Sequence, residues 1–433
     1  MNSSLAWWAA LIGLALAIIL ILAKLNTTYS LLLGAIVGCI IGGASLPKTV
    51  TIIVGGTQSV MGTVVRVIAA GVLAGVMMES GAADRIARTI VDKLGEKLAI
   101  FSLALATMII CAVGVFIPVA VLIVAPIALE VGSRLKISKL ALLVALSGGG
   151  KAGNIMSPNP NTIAVASGFK VQASSVMIQS FIPALCGLAM AVLLATLVQH
   201  KGAMPTAADI DSGTDGDKKD EKELPSIGRA LVAPVVAVVL LLINPIGSML
   251  HIKLLESFQV DAMYILPIAA ILGLLAMGKG KKILSYTTAG LNRMIDVVMI
   301  LIGAGALSGL ISNSNLPQQI VSLINHMGVP GSLLAPIAGI LMAAATASTS
   351  TGVILGSNSF GSSILAFGTS PVAAAVTMQA GATVIDALPH GNYFHVTAKS
   401  MNMTLGERMG VLPFEVLVGL TMTVVATLMY IVF

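Results

Sequence analysis

Long apolar runs separated by short polar breaks dominate this chain. Runs near 5–23, 29–45 and 62–79 each approach the roughly 20 residues that a helix needs to cross a bilayer. Residues 80–98 mix charged and apolar positions at helical spacing, which suits a helix lying along the interface. Residues 99–133 form two apolar arms about Gly114 to Pro118, so a re-entrant hairpin is expected there. An interrupted apolar stretch follows at 140–168, then a span at 181–199. After a hydrophilic segment, 200–229, the pattern returns. It gives spans near 230–249, 263–277 and 295–312, a hairpin at 332–370, a second interrupted stretch at 372–398 and a last span at 414–433. This pattern predicts an all-α polytopic membrane protein with two halves, 1–199 and 230–433, of about five spans and one re-entrant hairpin each.

The two interruptions match. One reads A-L-S-G-G-G-K-A-G-N-I-M-S-P-N-P-N-T-I-A-V-A-S, from Ala145 to Ser167. The other reads M-Q-A-G-A-T-V-I-D-A-L-P-H-G-N-Y-F-H-V-T-A-K-S, from Met378 to Ser400. Each puts Gly, Pro, Asn and an ionisable side chain where a membrane helix would otherwise continue. Broken backbone at bilayer depth is tolerated where it is buried in protein or lines a cavity. A corresponding pair of breaks, one per half, points to a transporter's binding site.

Further positions support a repeat. Gly71, Gly75 and Ser80 align with Gly305, Gly309 and Ser314 at one constant offset, and Pro158 and Asn161 align with Pro389 and Asn392. Charge then argues for opposite orientations. Arg85, Arg88, Lys93 and Lys97 follow the glycine pair of the first half, whereas 314–332 hold no Lys or Arg. The preceding segments reverse this: 46–62 carry Lys48 alone, and 278–294 carry Lys279, Lys281, Lys282 and Arg293. Basic loops stay cytoplasmic, so equivalent loops are expected on opposite faces, as in an inverted-topology repeat. The segment 200–229 then reads as a flexible cytoplasmic linker, or alternatively a regulatory loop, and both termini are expected outside.

Composition agrees. The chain is 57% hydrophobic and 10% charged, against about 25% charged in a soluble domain. The net charge of +6 lies in short loops and is not a nucleic-acid signal. Cys39, Cys111 and Cys186 sit in apolar stretches without metal or disulfide spacing and read as small packing residues. The first apolar run starts at Leu5 without a basic lead or cleavage pattern and reads as a retained span.

The breaks suggest chemistry. Helix N-termini carry unpaired N–H groups and partial positive charge, which suits anions. Such termini are expected near Asn161–Thr162, Asn392–Tyr393, Pro118 and Ser350–Thr351. Candidate substrate contacts are Asn154, Ser157, Asn159, Asn161, Thr162, Ser348, Thr349, Ser350, Thr351, His390, Asn392 and Tyr393. For the run Ser348–Thr351, a ligand-contacting tip and an ordinary turn both remain open. Asp386, four residues before His390, and Lys151 are candidate proton-coupling groups. Lys151 could meet a substrate carboxylate or pair with Asp386. His395 is core or ligand. Arg66 is expected to snorkel to the interface, and Glu79, Glu130 and Glu415 are expected to be interfacial. No Walker motif, catalytic triad or H-E-x-x-H is present, which argues against ATP-driven pumping and membrane-embedded enzymes, and no cofactor is implied.

The segment G-V-L-A-G-V-M-M-E-S-G-A-A-D-R-I-A at 71–87, P-N-P-N-T-I-A-V-A at 158–166 and N-M-T-L-G-E-R-M at 402–409 resemble the gluconate permease (GntP) family of the ion transporter superfamily. The resemblance covers nearly the whole chain. It implies uptake of a sugar acid such as gluconate, or a small relative such as D-serine, with protons, across a bacterial inner membrane. It further implies inverted repeats, paired hairpins, broken helices, a homodimer and elevator-type movement. The chain departs from the family pattern at 158–162, where many members read P-H-P-G-P-T. It departs again at Pro118, where they carry a glutamate, and at Leu388 to Phe394, where they read H-V-N-D-P-G-F. The leading expectation is proton symport of a small organic anion. Na⁺-coupled carboxylate symport, D-serine-type transport, ion/proton antiport and a channel are the alternatives.

Overall fold

The computed structural model describes residues 5–206, 209, 224–249, 252–256, 260–327, 330–389 and 391–432. Among these, helices form nearly all of the regular structure. Those of the first half are α1 (Trp7–Leu22), α2 (Thr27–Ile41), α3 (Leu46–Ser59), α4 (Met61–Glu79), α5 (Ala82–Leu94), α6 (Ala99–Ala112), α7 (Ile117–Leu135), α8 (Lys139–Ile155), α9 (Pro160–Gly168), α10 (Ala173–Gln179) and α11 (Phe181–Leu197). The second half gives α12 (Val232–Met249), α13 (Ala262–Ala276), α14 (Ile283–Ser312), α15 (Leu316–Met327), α16 (Leu334–Thr346), α17 (Thr349–Ala366), α18 (Pro371–Gly381), α19 (Asn392–Ser400), α20 (Leu405–Met409) and α21 (Leu412–Thr427). The order repeats, except that α14 alone stands where the first half has α3 and α4.

Each hairpin and each break has a local cause. Residues 113–116 turn α6 into α7 through Gly114 at φ +100°, a conformation that disfavours side chains. Pro118 sits in the first turn of α7, where its missing N–H leaves nothing unpaired. Ala347 takes φ +46° between α16 and α17, and the Ser348 hydroxyl caps α17 by accepting from the Thr351 N–H. Pro160 opens α9 behind the Asn159 cap, and Pro389 lies in the irregular segment between α18 and α19.

Several boundaries differ from the sequence reading. Residues 46–62 were expected as a loop, but α3 fills them, capped by Ser45 with Pro47 in its first turn. The expected loop 278–294 is largely the first turns of the 30-residue α14. Span length is also more varied than expected. Among the described residues, four helices are long and apolar enough to cross a bilayer, or up to six with the bent pairs. Trp7–Leu22, Thr27–Ile41 and Ala262–Ala276 are shorter apolar helices. Most of the 200–229 linker lies outside the described residues.

The two halves meet along a seam of glycines. A β-carbon on Gly56 would strike the Gly305 carbonyl and the Gly309 backbone, and one on Gly290 would strike the Gly71 carbonyl and the Gly75 backbone. Gly56 and Gly290 are separated by the same number of residues as Gly71 and Gly305, and as Gly75 and Gly309. The same-spaced glycines thus meet in crosswise pairs, and α3–α4 run antiparallel to α14. Small residues allow such close backbone approach between apolar helices. The basic end of this seam is tied by Arg293 to Glu79 (2.8 Å) and by Lys279 Nζ to the Ser80 carbonyl (2.7 Å). At the opposite end of α4, Arg66 pairs with Asp261 (2.7 Å) rather than standing alone at the interface.

The hairpins and breaks pack across the halves. Hairpin arm α17 lies against α9, while α7 lies against α19. The same crosswise relation thus holds at the centre, and it brings both breaks together.

Candidate functional site

All four expected helix N-termini line one cavity of about 600 Å³. Phe116, Ile117 and Pro118 come from α7, Asn161 from α9, Ser348–Thr351 from α17, and Gly391, Asn392 and Tyr393 from α19. Asn154 and Asp386 add to the polar lining, and Lys24, Leu25 and Asn392 are exposed on its open side. Four partially positive helix ends on one space favour a negatively charged group.

The first break is built from amides. Asn159 Oδ1 accepts from the N–H groups of Asn161 (2.8 Å) and Thr162 (3.0 Å), which starts α9. Its Nδ2 donates to the Asn154 carbonyl (2.8 Å) and to Asn154 Oδ1, and the Ser157 hydroxyl donates to that carbonyl as well (3.3 Å). Thr162 Oγ1 accepts from Gln379 Nε2 (2.7 Å), tying α9 to α18. Asn159, Ser157 and Thr162 thus stand behind the cavity wall and shape it. Asn154 Nδ2 and Asn161 Oδ1 differ: both are buried and have no hydrogen-bond partner among the described residues. Their residues line the cavity, with exposures of 1% and 3%. Together they offer a ligand one donor and one acceptor, and a buried polar atom left unmatched is costly.

The second break carries charge. Lys151, with 0% exposure, donates to Asp386 Oδ1 (2.6 Å) and to the Thr383 carbonyl (2.5 Å). Asp386 Oδ2 accepts from the Thr349 hydroxyl (2.5 Å) at the tip of the second hairpin. One carboxylate therefore joins α8, the second break and the α16–α17 hairpin. Of the two possibilities for Lys151, the structure shows pairing with Asp386. His390 lies outside the described residues. His395 lines the cavity and bonds the Pro389 carbonyl through Nε2 (2.8 Å).

A second buried pair corrects the reading of Glu415. Arg408 and Glu415 are 0% and 2% exposed and form a two-point ion pair (2.8 and 3.0 Å), so Glu415 is not interfacial. The Arg408 guanidinium stacks 4.9 Å from the Phe394 ring centroid and donates through Nε to Thr397 (2.9 Å). Ser147 donates to Glu415 Oε1 (2.5 Å) and meets the Tyr393 hydroxyl (2.6 Å). Sequence inspection missed this network because the pair spans a helix break between residues 409 and 412. The one available signal was two opposite charges seven residues apart around an otherwise apolar span.

Comparison with known proteins fits this architecture. The family model described as GntP family permease matches residues 5–433. The chain belongs to the GntP permease family. It is 47% identical to an uncharacterized transporter of Haemophilus influenzae, over 98% of both chains. It is 25% identical to the D-serine transporter DsdX of Escherichia coli, covering 79% of this chain and 80% of that one. A gluconate permease of Zymomonas mobilis is 22% identical over 92% of each chain. In fold it is similar to the crystal structure of the Alcanivorax borkumensis YdaH transporter, which has an unusual topology (TM-score 0.60, 14% identity, 88% of each chain covered). As a GntP permease, the chain is a multi-pass membrane transporter and not an enzyme.

Proposed function

We propose that this permease imports a small organic anion, a sugar acid such as gluconate or another hydroxy acid, by proton symport across a bacterial inner membrane. The convergence of four helix N-termini on one cavity, above the buried Lys151–Asp386 pair, carries this reading. Relatives named for gluconate and for D-serine support it, since both compounds carry a carboxylate.

The mechanism follows from competition for Lys151. A substrate carboxylate in the cavity attracts the same ammonium that Asp386 holds. As Lys151 turns toward the substrate, Asp386 loses its counter-charge in a buried setting, and a proton delivered to its carboxylate restores neutrality there. The proton therefore enters with the anion. The Thr349 hydroxyl links this event to the second hairpin, which gives the gate a reason to move.

The crosswise glycine seam supports an inverted repeat, with α3, α4 and α14 as a frame and the hairpins and breaks as the moving body. We take that body to shift as an elevator, with the basic end of α4 cytoplasmic, both termini outside and a homodimer as the assembly. On this topology the α1–α2 turn at Lys24 is cytoplasmic, so the cavity faces inward.

Uptake by purified protein in liposomes decides the matter. An inward pH gradient should drive accumulation of gluconate without Na⁺. Accumulation that requires Na⁺, or proton flux without any organic cargo, would overturn the proposal. D-serine uptake in place of sugar acids would move the substrate to the amino-acid branch.

A further inference from the structure

Resting on that transport reading, we infer that Glu415, acting through Ser147, fixes the Tyr393 hydroxyl as an acceptor toward the cavity, so that the site selects carboxylates bearing a donor beside the acid group.

The argument is one of proton counting. Arg408 donates to both carboxylate oxygens of Glu415, so each of those oxygens already serves as an acceptor. Ser147 has a single hydroxyl proton, and it goes to Glu415 Oε1. Toward Tyr393, at 2.6 Å, Ser147 is then left with lone pairs alone. The Tyr393 proton must therefore point at Ser147. What remains on the Tyr393 oxygen is acceptor capacity.

Position gives this polarity a use. Tyr393 lies in the first turn of α19 and lines the cavity. Ser147 sits one helical turn before Lys151 on α8, so both occupy one helix face. That face thus brings a carboxylate-seeking cation and, through Tyr393, a donor-seeking oxygen to neighbouring parts of the site. A 2-hydroxy acid answers both, and so does a 2-amino acid with its ammonium. A 2-oxo acid presents only acceptors there, and a 2-deoxy acid presents nothing.

The test is a binding ratio, read by thermal shift and calorimetry on the intact purified protein with gluconate, 2-oxogluconate and 2-deoxygluconate. Wild type should bind gluconate at least about tenfold tighter than either analogue, the scale of one hydrogen bond left unmatched. Tyr393→Phe should bring the three to within about twofold of one another. Ser147→Ala frees the Tyr393 proton to point into the cavity, and the preference should shift toward 2-oxogluconate. Both variants keep the Arg408–Glu415 pair, so they avoid leaving a buried charge alone. A ratio unchanged in Tyr393→Phe, or equal binding of hydroxy and oxo acids by wild type, overturns this inference and leaves the transport reading intact. Failure of wild type to bind any of the three defeats the substrate class and this inference together.

Discussion

Gly75 and Gly290 face each other with no side chain between them: a β-carbon on Gly75 would come within 2.6 Å of the Gly290 Cα. Gly75→Ala should therefore force the seam apart. Overpacking of this kind costs about 1–3 kcal/mol. Gly55 is the control, since a β-carbon there meets nothing within 4 Å. Gly55→Ala should hold or raise stability by about 0.5–1 kcal/mol, the helix preference of Ala over Gly. Thermal unfolding in detergent compares the two, and equal behaviour would mean that the seam is not tightly packed in solution.

Removing one partner of the Lys151–Asp386 pair should be far worse than removing both. Lys151→Ala or Asp386→Ala leaves a buried charge alone, at about 3–5 kcal/mol. The double variant Lys151→Met with Asp386→Leu should recover most of that loss yet remain inactive in uptake. Asp386→Asn should lose accumulation driven by a pH gradient while still exchanging bound substrate. Full accumulation by Asp386→Asn would remove Asp386 from the coupling step.

Asn161 and Asn159 should separate recognition from folding. Asn161→Ala removes an unpartnered oxygen at the cavity wall, so binding should weaken by about tenfold with little change in unfolding temperature. Asn159→Ala removes the cap of α9 and should lower stability by about 1 kcal/mol as well as affinity. Calorimetry and unfolding on the same preparations resolve the two effects.

The linker should contribute a pH-dependent tie. Burial pushes the Asp209 carboxyl up, but hydrogen bonds from Lys139 and Thr206 outweigh it and hold the group below its usual range. A lowered native value means that the stabilisation is fully present above the ordinary carboxylate range. It is lost as pH falls through the native value. Asp209→Asn should therefore narrow its stability gap to wild type as the solution is acidified, and a gap constant with pH would refute the assignment.

Topology has its own check. Cysteines placed at Arg88 on α5 and Gln319 on α15, both exposed, should react with impermeant reagent from opposite sides of the membrane. Labelling from one side would defeat the inverted repeat.

Much of this was legible in sequence because lipid imposes severe constraints on backbone. Pro160 with its Asn159 cap and Pro389 mark their breaks directly, since Pro and Asn interrupt an otherwise apolar run. The helix α3 was not legible: its Thr, Gln and Gly content reads as loop, and only contact with α14 shows why a polar-looking segment is helical. Arg408 and Glu415 failed for a related reason. Charges near a span end look interfacial unless the fold is known to bury them against Ser147 and Phe394.

The pairing of Lys151 with Asp386 also has an electrical meaning. On the proposed mechanism, the empty pair would be neutral, so the cavity would return across the membrane without doing work against the transmembrane voltage. Loaded with a monovalent anion alone, it would carry one net negative charge, and each such charge meets about 2.3 kcal/mol per 100 mV, directed against import into a cell that is negative inside. A proton taken up with the anion would cancel that charge. The same two residues would thus let an anion enter an already negative compartment as though it were uncharged.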